Sequence, residues 1–114
     1  MITQINPIYK IKSVEPKDLL CRFKFHKYNK DEFVYRFPVY RYEGKPLIYC
    51  EFVIYEDDMQ YIHINTYDLN GDYYAYNKEE YGKSLVVEII NERIQEQLNF
   101  FAQSGLLCDK EDNG

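Results

Sequence analysis

The residues most suggestive of chemistry lie in the stretch TYDLNGDYYAYN. Asp68, Asn70 and Asp72 alternate around Gly71, which is the spacing with which a calcium loop begins. In a helix-loop-helix calcium site the glycine is sixth and a bidentate glutamate is twelfth. Aligned on Gly71, the twelfth residue is Asn77, and strand-like residues flank the loop. The Asn-Gly pair instead predicts a two-residue hairpin turn, so we expect no metal site here.

Other reactive side chains are scattered along the chain. His26 and His63 fall on strands predicted to lie far apart, and Asp57 and Asp58 are neighbouring carboxylates in a polar turn. The three cysteines lack the spacing of metal ligands, and no Gly-rich loop precedes a helix. We therefore predict that the protein is not an enzyme and uses no metal or cofactor.

Composition indicates one globular domain over residues 1–114, with an acidic surface. The net charge is −5, and 13 tyrosines dominate an aromatic share of 18%. Residues 1–50 carry ten Lys or Arg against five Asp or Glu, whereas residues 51–114 carry four against fourteen. No run of apolar residues has membrane-spanning length, and the start MITQINPIYKIK lacks a secretion signal. Together with the odd cysteine count, this predicts a cytoplasmic protein with reduced thiols and no membrane contact.

Apolar residues alternate with polar ones from Leu19, which predicts an antiparallel sheet over residues 19–76. Keeping the large apolar side chains together requires Phe37 to lie opposite both Phe23 and Phe52, and Phe52 opposite Ile64. Pro38 cannot donate to a ladder, which predicts a bulge or a sheet edge at that strand. The side chains expected on the inner face of this sheet are Leu19, Cys21, Phe23, Phe25, Phe33, Tyr35, Phe37, Val39, Ile48, Cys50, Phe52, Ile54, Ile62 and Ile64.

A long helix is predicted over residues 84–104, with Ser84 as its N-cap and Gly105 just beyond its end, where Leu106 can contact Phe101 in a Schellman ending. The segment 1–18 is poorly defined, and the tail 108–114 is expected to be frayed. The stripe expected to face the sheet is Val87, Ile90, Ile94, Leu98 and Phe101. The predicted fold is therefore α+β, an antiparallel β-meander of about five strands with a long C-terminal helix packed on one face.

The opposite face of this sheet is predicted to be paved with tyrosine and basic at one edge. Lys24 would lie opposite Arg36, a repulsion that Glu51 or a bound anion would offset. Tyrosine supplies rigid contact area at recognition surfaces, although it also suits any solvated strand. The predicted binding surface is Arg22, Lys24, Arg36, Tyr40, Tyr49, Tyr55, Tyr61, Tyr67, Tyr74 and Tyr76.

The acidic residues suggest a second recognition element, because clustered carboxylates can imitate a phosphate backbone. Small size and acidic charge are shared with toxin-immunity proteins and with phage anti-defence inhibitors such as anti-CRISPR proteins. The predicted function is thus a non-catalytic protein-binding module that inhibits or neutralises a larger partner. The candidate acidic patch is Glu56, Asp57, Asp58, Asp72, Glu79, Glu80, Glu88 and Glu92.

Three other uses of the same features compete with this prediction. The tyrosine face could bind nucleic acid or a nucleotide, which the negative net charge disfavours. A pocket between sheet and helix could hold a small ligand. Two tyrosine faces could also cover each other in a homodimer.

Overall fold

The computed structural model describes residues 8–72 and 85–108, which form a five-stranded antiparallel sheet and two helices. Along the chain the elements are β1 (Ile8–Lys10), α1 (Pro16–Cys21), β2 (His26–Asn29), β3 (Glu32–Tyr42), β4 (Lys45–Tyr55), β5 (Asp58–Asp68) and α2 (Leu85–Gln103). The strand order is β1-β5-β4-β3-β2, and α2 packs on one face of the sheet. The predicted α+β fold with a long C-terminal helix is therefore confirmed.

The prediction of which side chains face the helix is confirmed for the three long strands. Phe52 and Ile64 have no exposed surface, and Phe37 is also buried. The ring of Phe52 lies 5.1 Å from that of Phe37 and 5.8 Å from that of Phe101 on α2. All five members of the predicted helix stripe are buried as well. The alternation of apolar residues in β3–β5 therefore correctly identified the face that packs on α2.

The pairing of β3 with β4 differs from the prediction by two residues. Phe37 lies opposite Cys50, and Tyr35 lies opposite Phe52. The reason is the turn, which consists of Glu43 and Gly44 alone, with φ angles of 51° and 80°. Positive φ at both central residues is the geometry of the tight hairpin turns that suit twisted strands. A shift of two preserves the face of every side chain, so the core composition survived the error. The predicted pairing of Phe52 with Ile64 is confirmed.

The segment before β2 is helical, so the predicted strand from Leu19 is wrong. Pro16 occupies the first turn of α1, a position in which its missing N–H is tolerated, and Leu19 is fully buried. The helix turns Cys21 outward, so this thiol is exposed and does not fill the core as predicted. Phe23 lies outside the sheet and is not paired with Phe37, but it is buried against Phe101.

A bulge interrupts β3 where Pro38 predicted one. Pro38 lies opposite Tyr49, but the next paired residue, Tyr40, lies opposite Ile48. The extra residue, Val39, is buried. The pairing of β2 with β3 covers only Glu32–Val34, so at Pro38 the described part of the chain pairs with β3 on the β4 side alone. The proline is therefore accommodated both by this locally unpaired side and by the bulge.

The end of α2 is tied to the beginning of the chain. Gly105 has a φ of 91°, and Leu106 N–H donates to the Phe101 carbonyl at 2.9 Å, which is the predicted Schellman ending. The chain then runs beside β1, where Cys108 N–H donates to the Lys10 carbonyl at 3.1 Å. The short N-terminal strand is thereby held on both sides. The predicted N-cap at Ser84 and the tail beyond Cys108 lie outside the described residues.

Candidate functional site

The stretch that resembled a calcium loop forms a turn stabilised by its own aspartate. One carboxylate oxygen of Asp68 accepts the N–H groups of Asn70 at 2.9 Å and Asp72 at 3.0 Å. Gly71 has a φ of 84°, whereas Asn70 does not have the positive φ that the predicted two-residue turn requires. The loop is therefore one residue longer than predicted, closed by a hydrogen bond from Asp68 N–H to the Asp72 carbonyl. The described residues contain no cluster of three His, Cys, Asp or Glu that could hold a metal.

The described thiols and imidazoles do not converge. Cys50 is fully buried, and burial raises the pKa of its thiol well above the ordinary value, so it stays protonated. Cys21 is exposed on α1, and Cys108 lies beside β1. His26 on β2 and His63 on β5 are three strands apart, about 14 Å at the usual strand spacing.

The face of the sheet away from α2, called the outer face below, is built from three cross-strand rows of β3, β4 and β5. Residues directly opposite each other share a face, so the pairing settles which side chains belong to it. The rows are Pro38, Tyr49 and Tyr67; Arg36, Glu51 and Asn65; and Val34, Val53 and His63. Tyr55 joins this face through ring contact with His63 at 4.9 Å. Tyr61, two residues before His63, lies on it by strand alternation.

Half of the predicted binding surface is brought together on this face. Arg36 and the four tyrosines Tyr49, Tyr55, Tyr61 and Tyr67 all lie on it, and each of these tyrosines is half-buried. Their rings are therefore fixed by neighbours while part of each remains accessible.

Three predicted members lie elsewhere. The Arg22 guanidinium donates to the Ser104 carbonyl at 2.7 Å, so it caps the C-terminal end of α2. Lys24 lies in the connection between α1 and β2, with a φ of 65°, and does not oppose Arg36. The β3 bulge turns Tyr40 toward the core, against which it packs. Tyr74 and Tyr76 lie outside the described residues.

The centre of the outer face carries an unmatched carboxylate. Arg36 lies directly opposite Glu51, yet its guanidinium carbon sits 4.3 Å from the ring centroid of Tyr49. Within the described residues, Glu51 has neither a hydrogen bond nor an ion pair within 4.0 Å. Burial raises the pKa of the Glu51 carboxyl above its ordinary value. Arg36 lowers this pKa in part, and the negative charge of Glu32 raises it further.

Glu51 lines a depression of about 360 Å³, called the Glu51 pocket below. Its walls are Tyr28, Glu32, Val34, Arg36, Tyr67 and Gly71. Glu51, Glu32 and Tyr28 were not among the predicted site residues. The available signal for Glu51 was that it is the single charge in the run from Pro46 to Tyr55.

The candidate acidic residues are distributed over the molecule and do not form one patch. Glu56, Asp57 and Asp58 are exposed at the β4–β5 turn, where Glu56 pairs with Lys27 at 2.8 Å. The turn that contains Asp72 begins at Asp68, which lies opposite Ile48 on β4. Ile48 is seven residues from Tyr55 along β4, so this turn is about 23 Å from the β4–β5 turn. Glu88 and Glu92 are exposed on α2, and Glu79 and Glu80 lie outside the described residues.

A second concavity of about 520 Å³ lies between the β3 bulge and α2, and we call it the bulge groove. It contains cationic, anionic and amide side chains next to aromatic surface, as a small-ligand site would. Its lining comprises Phe37, Pro38, Val39, Tyr40, Arg41, Ile89, Arg93, Glu96 and Gln97. Arg93 and Glu96 are 3.4 Å apart, so part of this charge is already paired.

Comparison with protein-family models, curated proteins and solved structures found no match to this chain. Neither helix in the described part of the chain combines the length and apolar character needed to cross a membrane.

Proposed function

We propose that this chain is a non-catalytic, cytoplasmic protein-binding module that docks its outer face on a larger partner and thereby inhibits or neutralises it. The observation that carries the proposal is the group of half-buried tyrosines Tyr49, Tyr55, Tyr61 and Tyr67 on the outer face. The opposite face of the same strands is occupied by α2. One face thus stabilises the fold, and the tyrosines of the other face are partly accessible for recognition.

The properties of this face suit protein recognition. Tyrosine combines a large apolar ring with a polar tip and loses little conformational entropy when it is buried. Eleven-residue strands at about 3.3 Å per residue give the platform a length near 36 Å. Arg36 and Glu51 provide charge of both signs at its centre, which favours a chemically specific partner over nonspecific adhesion.

The scattered acids change the expected mode of inhibition. Glu56–Asp58 and the turn that contains Asp72 lie at opposite ends of the β4–β5 pair, so they do not form one acidic patch. Contact through the tyrosines is therefore better supported than imitation of a phosphate backbone. Inhibition by occlusion of a partner's surface remains the proposed mechanism, as in immunity and phage anti-defence proteins, including anti-CRISPR proteins.

The test is capture of the partner from the native cells at low salt, followed by measurement of the purified complex. We expect the wild-type chain to bind and Tyr49→Ser/Tyr61→Ser to bind at least about tenfold more weakly, since interface aromatics carry much of the binding energy. Tyr42→Ser is the matched control, because Tyr42 is 59% exposed at the end of β3 and away from the tyrosine group. Circular dichroism verifies that each variant is folded.

Two results would contradict the proposal. One is the absence of any partner at low salt, and the other is equal binding by the double variant and the wild type. Sedimentation equilibrium addresses the homodimer alternative. A concentration-dependent dimer that Tyr49→Ser/Tyr61→Ser dissociates would show that a second copy occupies this face.

Nucleic-acid binding receives less support than protein binding. Of the three cations in the predicted binding surface, which are Arg22, Lys24 and Arg36, only Arg36 lies on the outer face, and its guanidinium is stacked on Tyr49. Because Arg22 and Lys24 lie elsewhere, the outer face lacks their contribution to the basic stripe that would bind a nucleic-acid phosphate backbone. Absence of a mobility shift with single-stranded RNA or DNA at low salt would eliminate it.

A small-ligand function is favoured by one observation, the bulge groove. Arg41, Arg93 and Gln97 converge there beside the half-buried ring of Tyr40. If the groove binds a ligand, a fragment library should produce saturable amide shifts at Ile89 and Arg93 in nuclear magnetic resonance spectra. An unresponsive groove would remove this candidate.

A further inference from the structure

The described lining of the Glu51 pocket carries more negative than positive charge. Among the described residues, its lining contains the carboxylates of Glu51 and Glu32 and a single cationic side chain, that of Arg36. Arg36 is committed to the face of Tyr49 at 4.3 Å. Glu32 accepts a hydrogen bond from the Asn29 amide at 2.9 Å, whereas Glu51 accepts none from the described residues. Of the two carboxylates in this lining, Glu51 therefore has fewer hydrogen-bond partners among the described residues.

The position of Glu51 makes this imbalance unusual. A carboxylate on a central strand loses hydration to its neighbours, and such groups ordinarily gain a partner in compensation. The raised pKa of Glu51, caused mainly by burial, agrees with incomplete compensation. A cross-strand arginine could have supplied the partner, but it stacks on an aromatic ring instead.

The pocket has the size and walls for a side chain and not merely for one ion. Its volume of about 360 Å³ equals roughly twelve water molecules at about 30 Å³ each. Tyr28 is 73% exposed on one side, and Tyr67 is half-buried on another. Aromatic walls above carboxylates favour a planar, weakly hydrated cation, because a guanidinium can stack and donate to a carboxylate simultaneously.

We propose that the Glu51 pocket is the anchor site of the outer face and receives an arginine side chain from the protein partner. Glu51 accepts hydrogen bonds from the guanidinium, Glu32 adds negative potential, and the rings of Tyr28 and Tyr67 flank its plane. The inference rests on the proposed function, since it names the partner chemistry that the outer face recognises.

The first experiment uses a minimal probe that requires no knowledge of the partner. N-acetyl-arginine amide is titrated into the isotope-labelled chain, and amide shifts are recorded. Saturable shifts are expected at Glu51 and Gly71, and none are expected with N-acetyl-citrulline amide, the neutral isostere. The lysine analogue should bind more weakly than arginine. Equal shifts with arginine and citrulline, or no shifts with arginine, would overturn the assignment of the pocket.

The second experiment separates the pocket from the outer face as a whole. Glu51→Gln preserves shape, removes the charge and should bind the purified partner about tenfold more weakly, as expected for a lost charge-assisted contact. Glu88→Gln, on the exposed surface of α2, is the matched control and should bind like the wild type.

The outcomes distinguish the two claims. If Glu51→Gln binds normally while Tyr49→Ser/Tyr61→Ser fails to bind, the arginine pocket is wrong and the proposed function stands. If neither variant weakens binding of the partner, the outer face is not the interface and both claims fail. If both variants weaken binding and Glu88→Gln does not, both claims are supported.

Discussion

Replacing Phe52 with alanine tests the packing on which the whole arrangement depends. The side chain has no exposed surface, and its ring meets those of Phe37, Phe101 and Tyr35 at centroid distances of 5.1, 5.8 and 6.2 Å. Burying a phenylalanine contributes about 1.5–3 kcal/mol. The substitution also removes ~100 Å³ of side chain, and each Å³ left as a cavity costs about 24 cal/mol.

The cavity left by this substitution adds to the lost burial, so the expected loss is large for a single substitution. The neighbouring rings come from β3 and from α2, so the void can close only if the helix moves toward the sheet. With half to all of the volume retained, the cavity adds about 1.2–2.4 kcal/mol. The free energy of unfolding should therefore fall by about 3–5 kcal/mol, a large share of the 5–15 kcal/mol typical of a domain.

Urea unfolding followed by far-ultraviolet circular dichroism measures this loss, since the chain has no tryptophan. Phe52→Leu, which retains most of the apolar volume, should lose only about 1–2 kcal/mol. Tyr49→Ala, on the same strand but on the outer face, should lose about 1–2 kcal/mol through its contact with Arg36 and partial burial. A loss for Tyr49→Ala equal to or greater than that for Phe52→Ala would refute the assignment of the two sheet faces.

Three further changes test individual turns and charges. Glu43→Asn should raise the free energy of unfolding by about 1 kcal/mol in urea titrations, because Asn tolerates the positive φ of this turn better than Glu; no gain would contradict the turn type. Gly105→Ala should lower it by about 1–2 kcal/mol through backbone strain, since the one contact of the added carbon within the described residues is Arg22 at 3.7 Å. Glu51 binds its proton more tightly in the folded state, so its contribution lowers stability as pH rises from the ordinary glutamate pKa through the raised folded value. Glu51→Gln should remove this part of the pH dependence, and an unchanged profile of unfolding free energy against pH would show that the carboxyl is not desolvated.

Side-chain alternation was the most dependable information in the sequence. Alternation alone, without a strand register, predicts that Phe52, Ile62 and Ile64 face the helix, and all three are fully buried. The assignment survived a pairing error because a shift of two residues leaves each side chain on its original face. The helix stripe and the Schellman ending at Gly105 were likewise predictable, because both depend on residues close in sequence.

The candidate site was harder to predict because it depends on pairs of distant residues. Arg36 and Glu51 meet only because the Glu43–Gly44 turn contains two residues; a four-residue turn would have displaced the pairing. Arg22 alternated with apolar neighbours as a strand residue would, but the Pro16 helix start placed it beneath the end of α2. The alternation of apolar and polar residues is the same for a two-residue and a four-residue turn, so it cannot distinguish the two turn lengths. It likewise cannot distinguish a strand from a short helix around Arg22.

By itself, the sequence determined the fold class, the buried face of each long strand and the helix that covers it, because apolar periodicity acts residue by residue and hydrophobic burial tolerates small changes in register. Only the tertiary structure decided which charges are neighbours, which tyrosines share a surface and where a concavity opens. Those properties depend on turn lengths, on the bulge after Pro38 and on the α1 segment. Each of these features changes which residues lie opposite each other, while the apolar pattern that buries the core stays the same.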